Sequence, residues 1–99
     1  MPEYALSFHS PLPPHLVVAK AWQKGIFEGW KVLEHNHGLS VTIREPLGPT
    51  AQGMVVSVAA EPEDTGSLVQ LKMHVDVGNT RSMAYLQRKA EELRDTVLR

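Results

Sequence analysis

The chain has 99 residues, 42% hydrophobic and 21% charged, the balance of one ordinary globular domain. Its formal net charge is −1 and it has no cysteine. That removes any global pull toward nucleic acid or an anionic membrane, and it excludes disulfides, thiol catalysis and cysteine-held metals.

The opening Met-Pro-Glu-Tyr shows no basic stretch followed by an apolar run, so no signal peptide is expected. No window approaches the ~18 apolar residues of a membrane span. A cytoplasmic location without membrane attachment is the default expectation.

Taken in chain order, Tyr4 to His9 alternates, with Leu6 and Phe8 on one side and Ser7 and His9 on the other. This predicts a first strand. Ser10-Pro11-Leu12-Pro13-Pro14 breaks it, and Pro14 suits the first turn of a helix, where its missing N–H costs nothing. His15 to Glu28 carries Val18, Ala21, Trp22, Gly25 and Ile26 at helical spacing. Gly29 is placed to end that helix in a left-handed conformation. Gly25 inside it costs roughly 1 kcal/mol against alanine, which marks a close contact with a strand.

Trp30 to His35 is read as the second strand, and Asn36-His37-Gly38 as a turn. Leu39, Val41 and Ile43 alternate with Ser40, Thr42 and Arg44 in a half-buried third strand. Pro46 to Gln52 reads as a loop. Met54, Val56, Val58 and Ala60 form the inner side of a fourth strand, and Glu61 to Gly66 an acidic turn. Val69, Leu71, Met73, Val75 and Val77 then alternate with Gln70, Lys72, His74 and Asp76. The last stretch, Thr80 to Arg99, repeats Met83, Leu86, Ala90, Leu93 and Val97 as one apolar stripe, with Asn79 or Thr80 as cap. A lone helix of that length is marginal in water, so the stripe must be buried.

The expected fold is therefore a single α+β domain over residues 1–99. It is a two-layer, five-stranded antiparallel sheet with two helices on one face, in the order β-α-β-β-β-β-α. That order, with Ser10-Pro11-Leu12-Pro13 entering the first helix and Gly29-Trp30-Lys31-Val32 leaving it, resembles a type of small bacterial β-α-β4-α domain. It is also similar to the TATA-box-binding-protein-like fold and to a shortened helix-grip fold of START and birch-pollen-allergen proteins. The resemblance implies a fold and carries over no functional residue. A START-like cavity needs a longer, strongly curved sheet. The TATA-box-binding protein is a tandem repeat with apolar wedges and a basic surface, and this chain shows neither.

The five histidines, at positions 9, 15, 35, 37 and 74, invite a metal hypothesis. His35 and His37 flank a turn rather than sharing a strand face. His9 and His74 become neighbours if the first strand pairs with the last, whereas His35 and His74 are then about three strands, roughly 14 Å, apart. No metal and no cofactor are expected. Ser7 and Ser57 lie mid-strand, and no Gly-x-Ser-x-Gly or Gly-rich phosphate loop occurs. Glu61, Glu63 and Asp64 read as a solvated turn. Trp22 and Trp30 read as core. Enzymatic activity is not expected.

What rises above this background is the sheet face opposite the helices. Alternation assigns it Ser7, His9, Lys31, His35, Ser40, Thr42, Arg44, Ser57, Gln70, Lys72 and His74, with Asp76 as its clearest acid. The residues expected to bind there are Lys31, Arg44, Lys72 and His74. The expectation is a binding or oligomerisation module, a homodimer or a partner of another protein. The alternative is a binder of a hydrophobic or anionic small molecule between the last helix and the sheet. Nucleic acid is not an expected ligand, because no outward position is aromatic and the net charge is −1.

Overall fold

The computed structural model describes residues 3–36, 39–45, 54–75 and 83–97. The elements are β1 (Glu3–Ser10), α1 (Pro14–Phe27), β2 (Lys31–Asn36), β3 (Ser40–Arg44), β4 (Met54–Glu63), β5 (Gly66–Val75) and α2 (Met83–Val97). This is the expected order. The five strands form one antiparallel sheet in the order β1-β5-β4-β3-β2. The expected cap at Asn79 or Thr80, the loop from Pro46 to Gln52, the turn residues His37 and Gly38, and Asp76 and Val77 all lie outside the described residues.

The period of two decides which side of the sheet is dry. Val41, Ile43, Met54, Val56, Val58, Ala60, Val69, Leu71 and Met73 are buried on one face. Tyr4, Leu6, Phe8 and Val32 continue that face to both edges. Both helices cover this face: α1 lies against β2, β3, β4 and β5, and α2 against β1, β5 and α1. From α2, Leu86, Ala90 and Leu93 enter the core, as its stripe requires.

Local chemistry explains where α1 starts and stops. Pro14 occupies the first turn, and the Pro13 carbonyl accepts from the Leu16 and Val17 N–H groups at 3.0 and 3.2 Å. At the other end Gly29 has φ +79°. Its N–H donates to the Ile26 carbonyl at 3.0 Å, and the Trp30 N–H donates to the Gly25 carbonyl at 2.7 Å. These two bonds are the Schellman pattern. The chain is thereby turned back, with Trp30 folded against the core before β2 begins.

Four expectations need correction. The buried stripe of α1 is Val17, Val18, Ala21 and Gly25, rotated by about one residue from the expected one. Ile26 is 51% and Trp22 37% exposed, so Trp22 is not core. Leu39 is an exposed turn residue, not the first inward position of β3. Glu61 to Glu63 belong to β4, paired with Leu68, Ser67 and Gly66, so the turn shrinks to Asp64-Thr65.

That hairpin is pinned to the start of the chain. Gly66 has φ +141°, and a Cβ built on it would lie 2.0 Å from the Ser10 carbonyl oxygen. Ser10 and Ser67 are both buried. The Ser67 hydroxyl donates to the Leu12 carbonyl at 2.6 Å, and the Leu12 N–H donates to Ser10 Oγ at 3.1 Å. Buried polar groups thus find partners at the corner between β1 and α1.

Candidate functional site

No element among the described residues covers the sheet face opposite the helices. Register places its side chains in cross-strand rows. One row runs Lys31, Arg44, Val55, His74 and Glu3, from the β2 edge to the β1 edge. The next runs Glu34, Thr42, Ser57, Lys72 and Ala5. Lys31, Arg44, Lys72 and His74 therefore share the uncovered face, as expected. Arg44 and Lys31 are direct neighbours. His74 stands two strands from Arg44, ~10 Å away, and Lys72 lies two residues along β5 from His74, ~7 Å.

These four are not equivalent. Lys31 and Lys72 are exposed, whereas Arg44 and His74 are half-buried and carry interactions of their own. Between the latter pair sits Val55, only 6% exposed although it points away from the helices. An apolar side chain that dry on an uncovered face needs cover. Its cross-strand partners Arg44 and His74 are placed to give it, the arginine through its long aliphatic stem. In the adjoining row Thr42 Oγ1 and Ser57 Oγ lie 3.1 Å apart in a hydrogen bond. The sequence pattern does not single out Val55, because it reads as one apolar letter in the run Met54-Val55-Val56.

The face also holds acids that the sequence alternation did not assign to it. Glu3 opposes His74 in register and Glu34 opposes Thr42. Glu61 and Glu63 lie toward the hairpin end. Lys31, Arg44 and Lys72 thus form a cationic end within a mixed surface rather than a uniformly basic face.

His35 does not belong to it. The pairing of β2 with β3 shifts between Val32 and Glu34, a bulge that inserts Leu33. Beyond it the alternation is inverted, and His35 opposes Val41 on the helix side. There its ring stacks on Trp22 of α1, centroids 6.1 Å apart and planes inclined by 12°. His9 is likewise not beside His74. β1 pairs with β5 in the expected antiparallel sense, and that register sets His9 opposite Leu68 and His74 opposite Glu3. Six residues of strand, ~20 Å, separate the two rings. The His9 Nδ1 instead pairs with Glu63 Oε1 at 2.9 Å. Among the described residues no three ligand-type side chains converge.

A second feature lies on the other side of the sheet. Gly25 and Trp30, with Ile43, Met54 and Leu93, floor a cleft between the C-terminal half of α1, α2 and the sheet. The ion pairs Lys24–Glu28, at 3.2 Å, and Lys89–Glu92, at 3.7 Å, stand at its rim. Its free volume is about 20 Å³, room for roughly one water. Among the described residues no helix is long and apolar enough to cross a membrane.

No family model matches the chain, and no curated protein matches it in sequence. Solved structures do match. CV1439 from Chromobacterium violaceum superposes with a TM-score of 0.66 at 14% identity, over 100% of this chain and 99% of that one. TTHA0849 from Thermus thermophilus gives a TM-score of 0.46 at 16% identity, over 93% and 86% of the two chains. Ara h 8.0201 gives 0.49 at 11% identity, over 96% and 93%. The chain is thus similar along its whole length to CV1439, and what the two share is the fold.

Proposed function

We propose that the protein is a non-enzymatic binding or assembly module whose contact surface is the uncovered sheet face, and that it recognises an acidic protein segment there. The observation that carries this reading is the grouping of three fixed cations, Lys31, Arg44 and Lys72, on one face of a sheet whose other face is closed by both helices. Neither Lys31 nor Lys72 has an ion-pair partner among the described residues. Like charges on a shared face repel modestly through water, and an acidic partner relieves that. Arg44 and His74, the cross-strand neighbours of Val55, are half-buried within this surface.

The test is titration of a fluorescent poly-glutamate peptide against the wild type and the triple variant Lys31→Gln, Arg44→Gln, Lys72→Gln, at low and near-physiological salt. The triple variant should stay folded, with any loss of stability coming mainly from the half-buried Arg44 that covers Val55, since the two exposed lysines matter little to folding. It should bind more weakly and with a flatter salt dependence. Equal binding by both proteins means the face is merely hydrated.

The second reading, a small hydrophobic or anionic ligand between α2 and the sheet, has the apolar cleft floor and charged rim in its favour. Its volume of about 20 Å³ is far below the ~300 Å³ at which ligand sites begin. This reading therefore requires α2 to move, and a melting temperature that rises with added ligand is its signature.

A further inference from the structure

The outer edge of β2 and the flank of α1 beside it form a second surface, which shares Lys31 with the sheet face proposed to bind an acidic segment and otherwise lies apart from it. β2 is an edge strand, and no described strand pairs with its outer side. Residues 31 and 34 of a regular strand would point to opposite faces. The bulge at Leu33 cancels one alternation, so Lys31, level with Arg44, and Glu34, level with Thr42, stand on the same face of the same edge. Both are exposed, and neither has an ion-pair partner among the described residues.

Next to them lies apolar surface that the core does not use. Leu33 is 46% exposed, and Trp22 and Ile26, one helical turn apart on the flank of α1 facing β2, are 37% and 51% exposed. Together they offer on the order of 300 Å² of apolar surface, within the range of the largest patch on a typical monomer, which is often functional.

A cation and an anion side by side on one edge are self-complementary. A twofold axis perpendicular to the sheet, passing between them, sets each lysine against the other copy's glutamate, and it also brings the two apolar flanks together. We propose that two copies of the chain associate through this edge, with Lys31 of each beside Glu34 of the other and the Trp22, Ile26 and Leu33 flank closed between them. The bulge blunts the edge against indiscriminate strand addition. What remains is an edge matched to its own copy by charge and shape.

Light scattering and sedimentation equilibrium of the purified chain test this, with circular dichroism confirming that each variant is folded. The wild type should be dimeric at micromolar concentration. Lys31→Glu and Glu34→Lys should each weaken the dimer at least about tenfold, because each sets like charges together. The double variant, which exchanges the two charges, should recover wild-type association within about threefold. Leu33→Glu should give a monomer that still binds poly-glutamate, which separates this surface from the sheet face. A monomeric wild type, single reversals without effect, or a double variant as weak as the singles would each overturn the proposal.

Discussion

Replacing Gly25 with alanine sets two opposed terms against each other. In a helix interior alanine is favoured over glycine by about 1 kcal/mol. The added methyl, however, would lie 3.1 Å from Ile43 Cδ1 and 3.3 Å from its Cγ2, closer than carbon atoms pack at rest. Ile43 is buried within the core cluster, so it has little room to retreat. Overpacking of that kind costs typically ~1–3 kcal/mol, and the net expectation for Gly25→Ala is a loss of about 1 kcal/mol. Ile43→Val alone should cost ~0.5–1.5 kcal/mol, but it removes Cδ1, the nearer contact. In that background Gly25→Ala should become neutral or stabilising. Urea denaturation of all four proteins gives the coupling, expected at about 1 kcal/mol in favour of the double variant. If Gly25→Ala alone stabilises by its full propensity and the cycle shows no coupling, α1 does not approach β3 that closely and the reasoning fails.

Two further outcomes follow from the same packing. Gly66→Ala should destabilise by ~2 kcal/mol or more, since it combines a φ of +141° with a Cβ 2.0 Å from the Ser10 carbonyl oxygen, and strain of this kind costs ~1–3 kcal/mol before the clash is counted; thermal melts would show it, and an unchanged melting temperature would refute the pinned corner. Leu93→Ala should cost ~2–5 kcal/mol as a cavity in a closed core; a markedly smaller loss, with a melting temperature that climbs on adding a hydrophobic ligand, would identify the cleft between the helices and the sheet as a binding pocket.

Much of the fold is legible in the sequence because its signals are local. The alternation of Val69, Leu71 and Met73 with Gln70, Lys72 and His74 settles which side of β5 is dry, and register carries that answer across the sheet. Pro14 and Gly29 mark both ends of α1. The errors arise where a neighbour decides. Nothing in Lys31-Val32-Leu33-Glu34 announces an inserted residue, and that one bulge moves His35 to the helix side. A helical stripe read from spacing alone is uncertain by a residue, which is why Ile26 and Trp22 read as core and prove exposed. Pro62 reads as a turn signal, yet it extends the β4–β5 ladder beyond the region flanked by β3. The antiparallel pairing of β1 with β5 is foreseeable, and it sets the two histidines, each near the C-terminal end of its strand, at opposite ends of the ladder, which the expectation of neighbouring rings overlooks.

The bulge at Leu33 connects the two surfaces of this molecule. By inverting alternation midway along β2, it turns His35 inward to stack on Trp22, which ties the flank of α1 to the edge strand. The same inversion turns Glu34 outward beside Lys31, so the edge carries both signs on one face instead of one sign on each. A regular strand of this sequence would have left Glu34 and Asn36 on the helix side and His35 on the uncovered face. It would also have left the Trp22 ring without its stacking neighbour. The insertion therefore serves the fold first, by seating an aromatic pair. The self-complementary edge follows from it without any additional residue.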